Sequence, residues 1–110
     1  HIIAALLASL GDGWQRDGET LVGPDMTLTA GIRYGRFEVY PIFTKARVTQ
    51  EEVFEAFYHA PPVGFSIALT RNVEANTSEA IRIVETLVRQ VREYQVGLAA
   101  RRAALARDQM

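Results

Sequence analysis

Apolar residues change their spacing several times along the chain, and each change marks an element. Ile3, Leu6, Leu7 and Leu10 recur at i, i+3, i+4 and i+7, which predicts a short amphipathic helix over the first ten residues. Gly11-Asp12-Gly13 ends it, because glycine accepts the left-handed conformation of a helix C-cap. Turn signals at hairpin spacing follow. Asp17-Gly18 predicts a two-residue turn that sets Arg16 opposite Glu19 and Trp14 opposite Leu21. Gly23-Pro24-Asp25 reverses the chain again, and Tyr34-Gly35 offers a further two-residue turn, less favourable because tyrosine is strained at positive φ. Pairing around that turn sets Ile32 against Phe37, Ala30 against Val39 and Leu28 against Pro41 on one face. The other face receives Thr27 with Ile42, Thr29 with Tyr40, Gly31 with Glu38 and Arg33 with Arg36. A slip by one residue would bring Ile32 against Glu38, so the pattern itself selects the register. Pro41 cannot donate to a ladder, which predicts that this strand is ending there or lies at an edge.

Thr49-Gln50-Glu51-Glu52 has the form of a capping box, with Val48 and Val53 at the positions of a hydrophobic staple. The helix it opens runs through Phe54 and Phe57 and stops before Pro61-Pro62. Val63, Phe65, Ile67 and Leu69 then alternate with Gly64, Ser66, Ala68 and Thr70, a strand whose small-residue face suits an interior position. Asn76 with Glu79 three residues later predicts the start of the last helix. Its apolar face carries Ala80, Ile81, Val84, Leu87, Val88, Val91 and Tyr94, opposite Arg82, Glu85, Arg89, Arg92 and Glu93. The expected fold class is α+β and two-layer. An antiparallel β-meander of three to four strands plus a fifth strand packs with two short helices and one long C-terminal helix.

Length adds one constraint. The chain has 110 residues, enough for one core and short of two. A helix from Thr77 to Asp108 is ~48 Å long, whereas a compact chain of this size has a diameter of roughly 35 Å. The sequence therefore divides into a compact domain over 1–96 and an extension of the last helix over 97–110. Ile81, Val84, Val88, Val91, Gln95, Leu98, Arg102 and Leu105 alternate in steps of three and four, a heptad seam of coiled-coil type with polar residues at two places. The expected partner or dimer interface is Val91, Tyr94, Gln95, Leu98, Arg102 and Leu105.

Composition removes whole classes of chemistry. Twelve basic and 13 acidic residues leave a net charge of −1, with 48% hydrophobic residues and no cysteine. These values exclude a disulfide scaffold, a thiol nucleophile and a zinc–cysteine site, and give no global attraction to nucleic acid. The longest apolar stretch, Ile2 to Leu10, is about half the ~20 residues a membrane helix needs. It lacks the basic flank of a secretory signal, so the expected location is cytoplasmic and no membrane partner is expected. Glu52, Glu55 and His59 share one predicted helix, but without an HExxH pattern they do not specify a metal site. Ser66 lacks a nucleophile elbow, and the scattered glycines form no phosphate-binding loop. No enzyme, no cofactor and no metal is the expectation.

One local patch has a composition suited to nucleic acid. Residues 31–49 hold four basic residues and one acidic, and Arg33, Arg36, Tyr40, Lys45 and Arg47 interleave charge with aromatic surface. With the Arg-rich tip of the last helix, this basic β-hairpin 33–47 forms the alternative reading, a nucleic-acid-binding module. The first reading is a small non-enzymatic protein–protein interaction module. In size and poverty of motifs it resembles phage and mobile-element inhibitors and accessory factors. It is expected to form a homodimer or to dock another protein through its long C-terminal helix.

Overall fold

A computed structural model describes residues 2–42 and 62–108. Seven elements follow in order: α1 (Ile2–Leu10), β1 (Gln15–Asp17), β2 (Thr20–Val22), β3 (Thr27–Arg33), β4 (Arg36–Ile42), β5 (Phe65–Ala68) and α2 (Val73–Asp108). The strands form one antiparallel sheet in the order β1-β2-β3-β4-β5, an α+β arrangement. The helix expected over 49–59 lies outside the described residues. The C-cap at Gly11 has φ +87°, and the Gly11 N–H donates to the Leu7 carbonyl at 3.2 Å.

The β3–β4 register is the one the alternation selects, with all seven pairs from Thr27–Ile42 to Arg33–Arg36 in place. Tyr34 sits at φ +53° and Gly35 at +69°, the two positive values a primed turn requires. Pairing between β4 and β5 covers Arg36 to Val39 only, so Pro41 falls where no donor is asked of it on that side.

Three local expectations are corrected. The first hairpin turns on Gly18-Glu19, pairing Arg16 with Leu21 and Asp17 with Thr20. Gly18 alone takes positive φ there (+61°), whereas a turn on Asp17-Gly18 asks the same of Asp17 as well. This leaves Trp14 outside the strand, buried beneath the turn at Gly23, where an added Cβ would stand 2.6 Å from the indole. Second, β5 ends the sheet order among the described residues instead of lying inside it. Its larger residues, Phe65 and Ile67, pack on the core while Ser66 and Ala68 stay exposed. Third, α2 begins at Val73, and Asn72 is its cap: the Ala75 N–H donates to Asn72 Oδ1 at 3.0 Å. Asn76 is instead occupied with Thr70, accepting from its N–H and hydroxyl at 2.9 Å each and donating to its carbonyl at 2.8 Å. Two cap-type residues four apart are indistinguishable by spacing; the neighbouring strand end decides between them.

One cluster holds the core. Ile2, Ile3 and Leu6 from α1 meet Leu21, Leu28, Ala30, Phe37 and Val39 of the sheet and Ala80, Ile83, Val84, Leu87, Val88 and Val91 of α2. Ile83 is buried where the periodicity favoured Ile81, which is only partly covered. α2 is contacted by α1, β4 and β5 together, so its buried arc spans ~140° and extends to the Ile83 side. The molecule measures 58 × 27 × 21 Å with a radius of gyration of 16.3 Å, against about 13 Å for a compact chain of this length. α2 alone, at 36 residues, accounts for ~54 Å of the long axis.

Two backbone positions yield opposite expectations. Gly64 has φ +104°, and an added Cβ would lie 2.3 Å from the Val39 carbonyl oxygen. Gly64→Ala is expected to destabilise the fold by about 2 kcal/mol or more, read from the urea midpoint. Tyr34 is fully exposed at positive φ, so Tyr34→Asn is expected to raise stability by about 0.5–1 kcal/mol in the same titration.

Candidate functional site

The hairpin tip brings Arg33 and Arg36 level on adjacent strands, as expected. Repulsion between them is relieved by partners drawn from either side. Arg33 Nη2 lies 2.8 Å from Glu19 Oε2, and that hydrogen bond, with the charge behind it, raises the guanidinium pKa. Gly31 leaves the room: its absent side chain would stand 3.6 Å from the Glu19 carboxyl carbon. Arg36 Nε donates to Ser66 Oγ at 2.9 Å, which also engages the one serine weighed as a nucleophile. Glu38 lies on the same sheet face and adds a smaller charge effect at Arg33. Phe37 is fully buried in the core and offers nothing to a base, leaving Tyr34 and the half-exposed Tyr40 as the hairpin's surface aromatics among the described residues. The hollow among Glu19, Thr29, Arg33, Glu38 and Tyr40 holds ~10 Å³, the room of a single water. Lys45 and Arg47 lie outside the described residues, as do Glu52, Glu55 and His59.

The second candidate is the stripe along α2. The structure places Val91 in the protein's own core at 1% exposure. Gln95, a polar residue in the seam, is used within the chain: its Nε2 donates to the Asp25 carbonyl at 2.8 Å. One turn earlier, Arg92 Nε reaches Asp25 Oδ2 at 2.9 Å. The β2–β3 turn thus grips α2 at Arg92 and Gln95, and these contacts were not legible because they join positions about 70 residues apart. Tyr94 and Leu98 are partly buried, and Arg102 is exposed. Beyond Gln95 the helix continues through Gly97 for 13 residues to Asp108, about 20 Å. The Arg101 guanidinium lies along Gly97, where an added Cβ would stand 3.4 Å from Nη1. Leu98, Arg102 and Leu105 follow Val91 and Gln95 in the same three-four spacing, so the face that builds the core continues past the described elements packed on α2.

The outer face of α2 is a solvated surface. Arg82 pairs with Glu79 and holds that carboxylate below its usual range, chiefly through the hydrogen bond. Glu85 accepts from Ser9 Oγ at 2.9 Å, tying α2 to α1. Between the two helices a groove of ~390 Å³ has Leu10, Trp14 and Val88 as its floor and Glu85, Arg89, Arg92 and Glu93 at its rim. Among the described residues, no three His, Cys, Asp or Glu side chains are grouped to hold a metal ion. No described helix is long and apolar enough to cross a membrane. Compared with protein-family models, with curated proteins and with solved structures, the chain finds no match.

The paired charges on the hairpin generate an expectation of their own. A mixed-sequence oligonucleotide titrated at low salt, followed by fluorescence anisotropy, is expected to show no salt-dependent binding. An affinity whose logarithm falls linearly with log salt would restore this face as a phosphate-binding surface.

Proposed function

We propose that this two-layer α+β chain is a small non-enzymatic interaction module, of the kind found among phage and mobile-element inhibitors and accessory factors. Its body over 1–96 folds around the proximal part of α2. Its extension over 97–110 presents a helix face to a second protein chain, so that self-association or docking of a partner is the activity itself.

One observation supports this above the others: the core-facing stripe of α2 does not end with the core. Val84, Val88 and Val91 are buried, Gln95 is bonded to the Asp25 turn, and Leu98 and Leu105 then repeat the same spacing along a ~20 Å overhang. A helix serving its own domain needs apolar residues only as far as the body reaches. Residues 98–107 are also strong helix formers, which keeps the overhang helical at low intrinsic cost. Of the positions expected to meet a partner, Val91 serves the core and Gln95 binds the Asp25 turn.

Light scattering on the full chain tests the reading. The expected mass exceeds 12.2 kDa and rises with concentration, and Leu98→Glu returns it to the monomer value while circular dichroism stays unchanged. Equal monomeric masses for both proteins would remove self-association from the proposal.

A further inference from the structure

We infer that the β2–β3 turn, residues 23–26, is a latched clip. Asp25, bound to Arg92 and Gln95 of α2, keeps Gly23 pressed over Trp14. Loss of those two bonds lifts the turn off the indole while the helices and the sheet stay packed.

Each residue of the turn has its own neighbour. The Gly23 N–H donates to the Met26 carbonyl at 2.8 Å and closes the turn. A Cβ added to Gly23 would stand 2.6, 2.7 and 2.8 Å from three adjacent indole carbons of Trp14. Such near-equal distances place it above the ring face, where no side chain fits. Pro24 covers Gly13, whose own Cβ would lie 3.6 Å from the proline ring. Met26 is buried in the core. Asp25 reaches α2: its Oδ2 accepts from Arg92 Nε at 2.9 Å and its carbonyl from Gln95 Nε2 at 2.8 Å. Apolar contact on one side and polar bonds on the other thus hold the same four residues.

The polar side is the releasable one. The Arg92 and Asp25 side chains are 52% and 41% exposed, and an ion pair so exposed adds little stability. The Gln95 bond is neutral, and water replaces it at modest cost. Neither holds as the buried Leu21, Leu28 and Leu87 do, so the turn opens locally without the fold. Gly23 has no side chain to keep it on the indole, and Pro24 and Asp25 are exposed. The consequence reaches the groove between α1 and α2, where Trp14 is part of the floor and Arg92 part of the rim. Opening uncovers one face of the indole and frees the Arg92 guanidinium from Asp25 together. The shape of the floor and the charge of the rim are therefore coupled through Asp25.

Proton NMR on the full chain reads the contact directly, since the chain has one tryptophan. The indole ring current is expected to hold a Gly23 α-proton well upfield of the other glycines. Arg92→Ala and Gln95→Ala are each expected to return it a small part of the way, and the double variant most of the way. Asp25→Asn keeps the carbonyl that Gln95 binds, so it is expected to match Arg92→Ala and not the double variant. The Leu6 and Leu87 methyl resonances, fully buried in the core, are expected to stay in place, which separates an opened clip from an unfolded chain. A native Gly23 α-proton at an ordinary glycine position, or a double variant that leaves it upfield, overturns the clip. A double variant that also loses its core resonances overturns it too, because the turn then does not open separately from the fold.

Discussion

The whole molecule depends on one packed arc of α2. Ala80, Ile83, Val84, Leu87, Val88 and Val91 are buried against α1 and the strands that carry Phe37 and Val39. Fully burying an Ile, Val or Leu side chain stabilises by about 1.5–3 kcal/mol, so the five on this helix outweigh any described surface ion pair. The sheet cannot hide its apolar face without that helix, and α1, at nine residues, is too short to be stable alone. Removing the arc would leave Leu21, Leu28, Phe37 and Val39 facing water together.

The same helix is longer than its task. The arc ends at Val91, the Asp25 turn takes hold of Arg92 and Gln95, and the helix goes on. This is the source of the elongated shape and of the functional proposal. The stripe repeats in the overhang because a helix keeps its angular period whether or not a body lies beneath it. A glutamine and an arginine interrupt that stripe. Gln95 faces the protein's own turn, and Arg102 lies two turns further along the helix.

The hairpin shows how neighbours change the meaning of a charged patch. Arg33 and Arg36 were legible as a pair, since the period-two alternation fixes the register that joins them. Glu19 and Ser66 were not legible as their partners, because they come from elements 14 and 30 residues away along the chain. Of that net-positive cluster, Arg33 is matched by Glu19 and Arg36 is bonded to Ser66 on the folded sheet. Similarly, Trp14 reads as a strand residue until the turn moves to Gly18-Glu19, and then it becomes the floor beneath Gly23.

What the sequence determined by itself is local and periodic. It specified α1 and its glycine cap, the complete β3–β4 register, the alternation of β5 and the apolar face of α2, because each follows from spacing within one or two elements. Tertiary structure decided what depends on residues distant in the chain: which of two asparagines caps α2, that β5 closes the described sheet order, that Ile83 displaces Ile81 from the core, and that Asp25 grips the long helix. Periodicity assigns a face to a residue, but which neighbour covers that face depends on how the remaining elements pack.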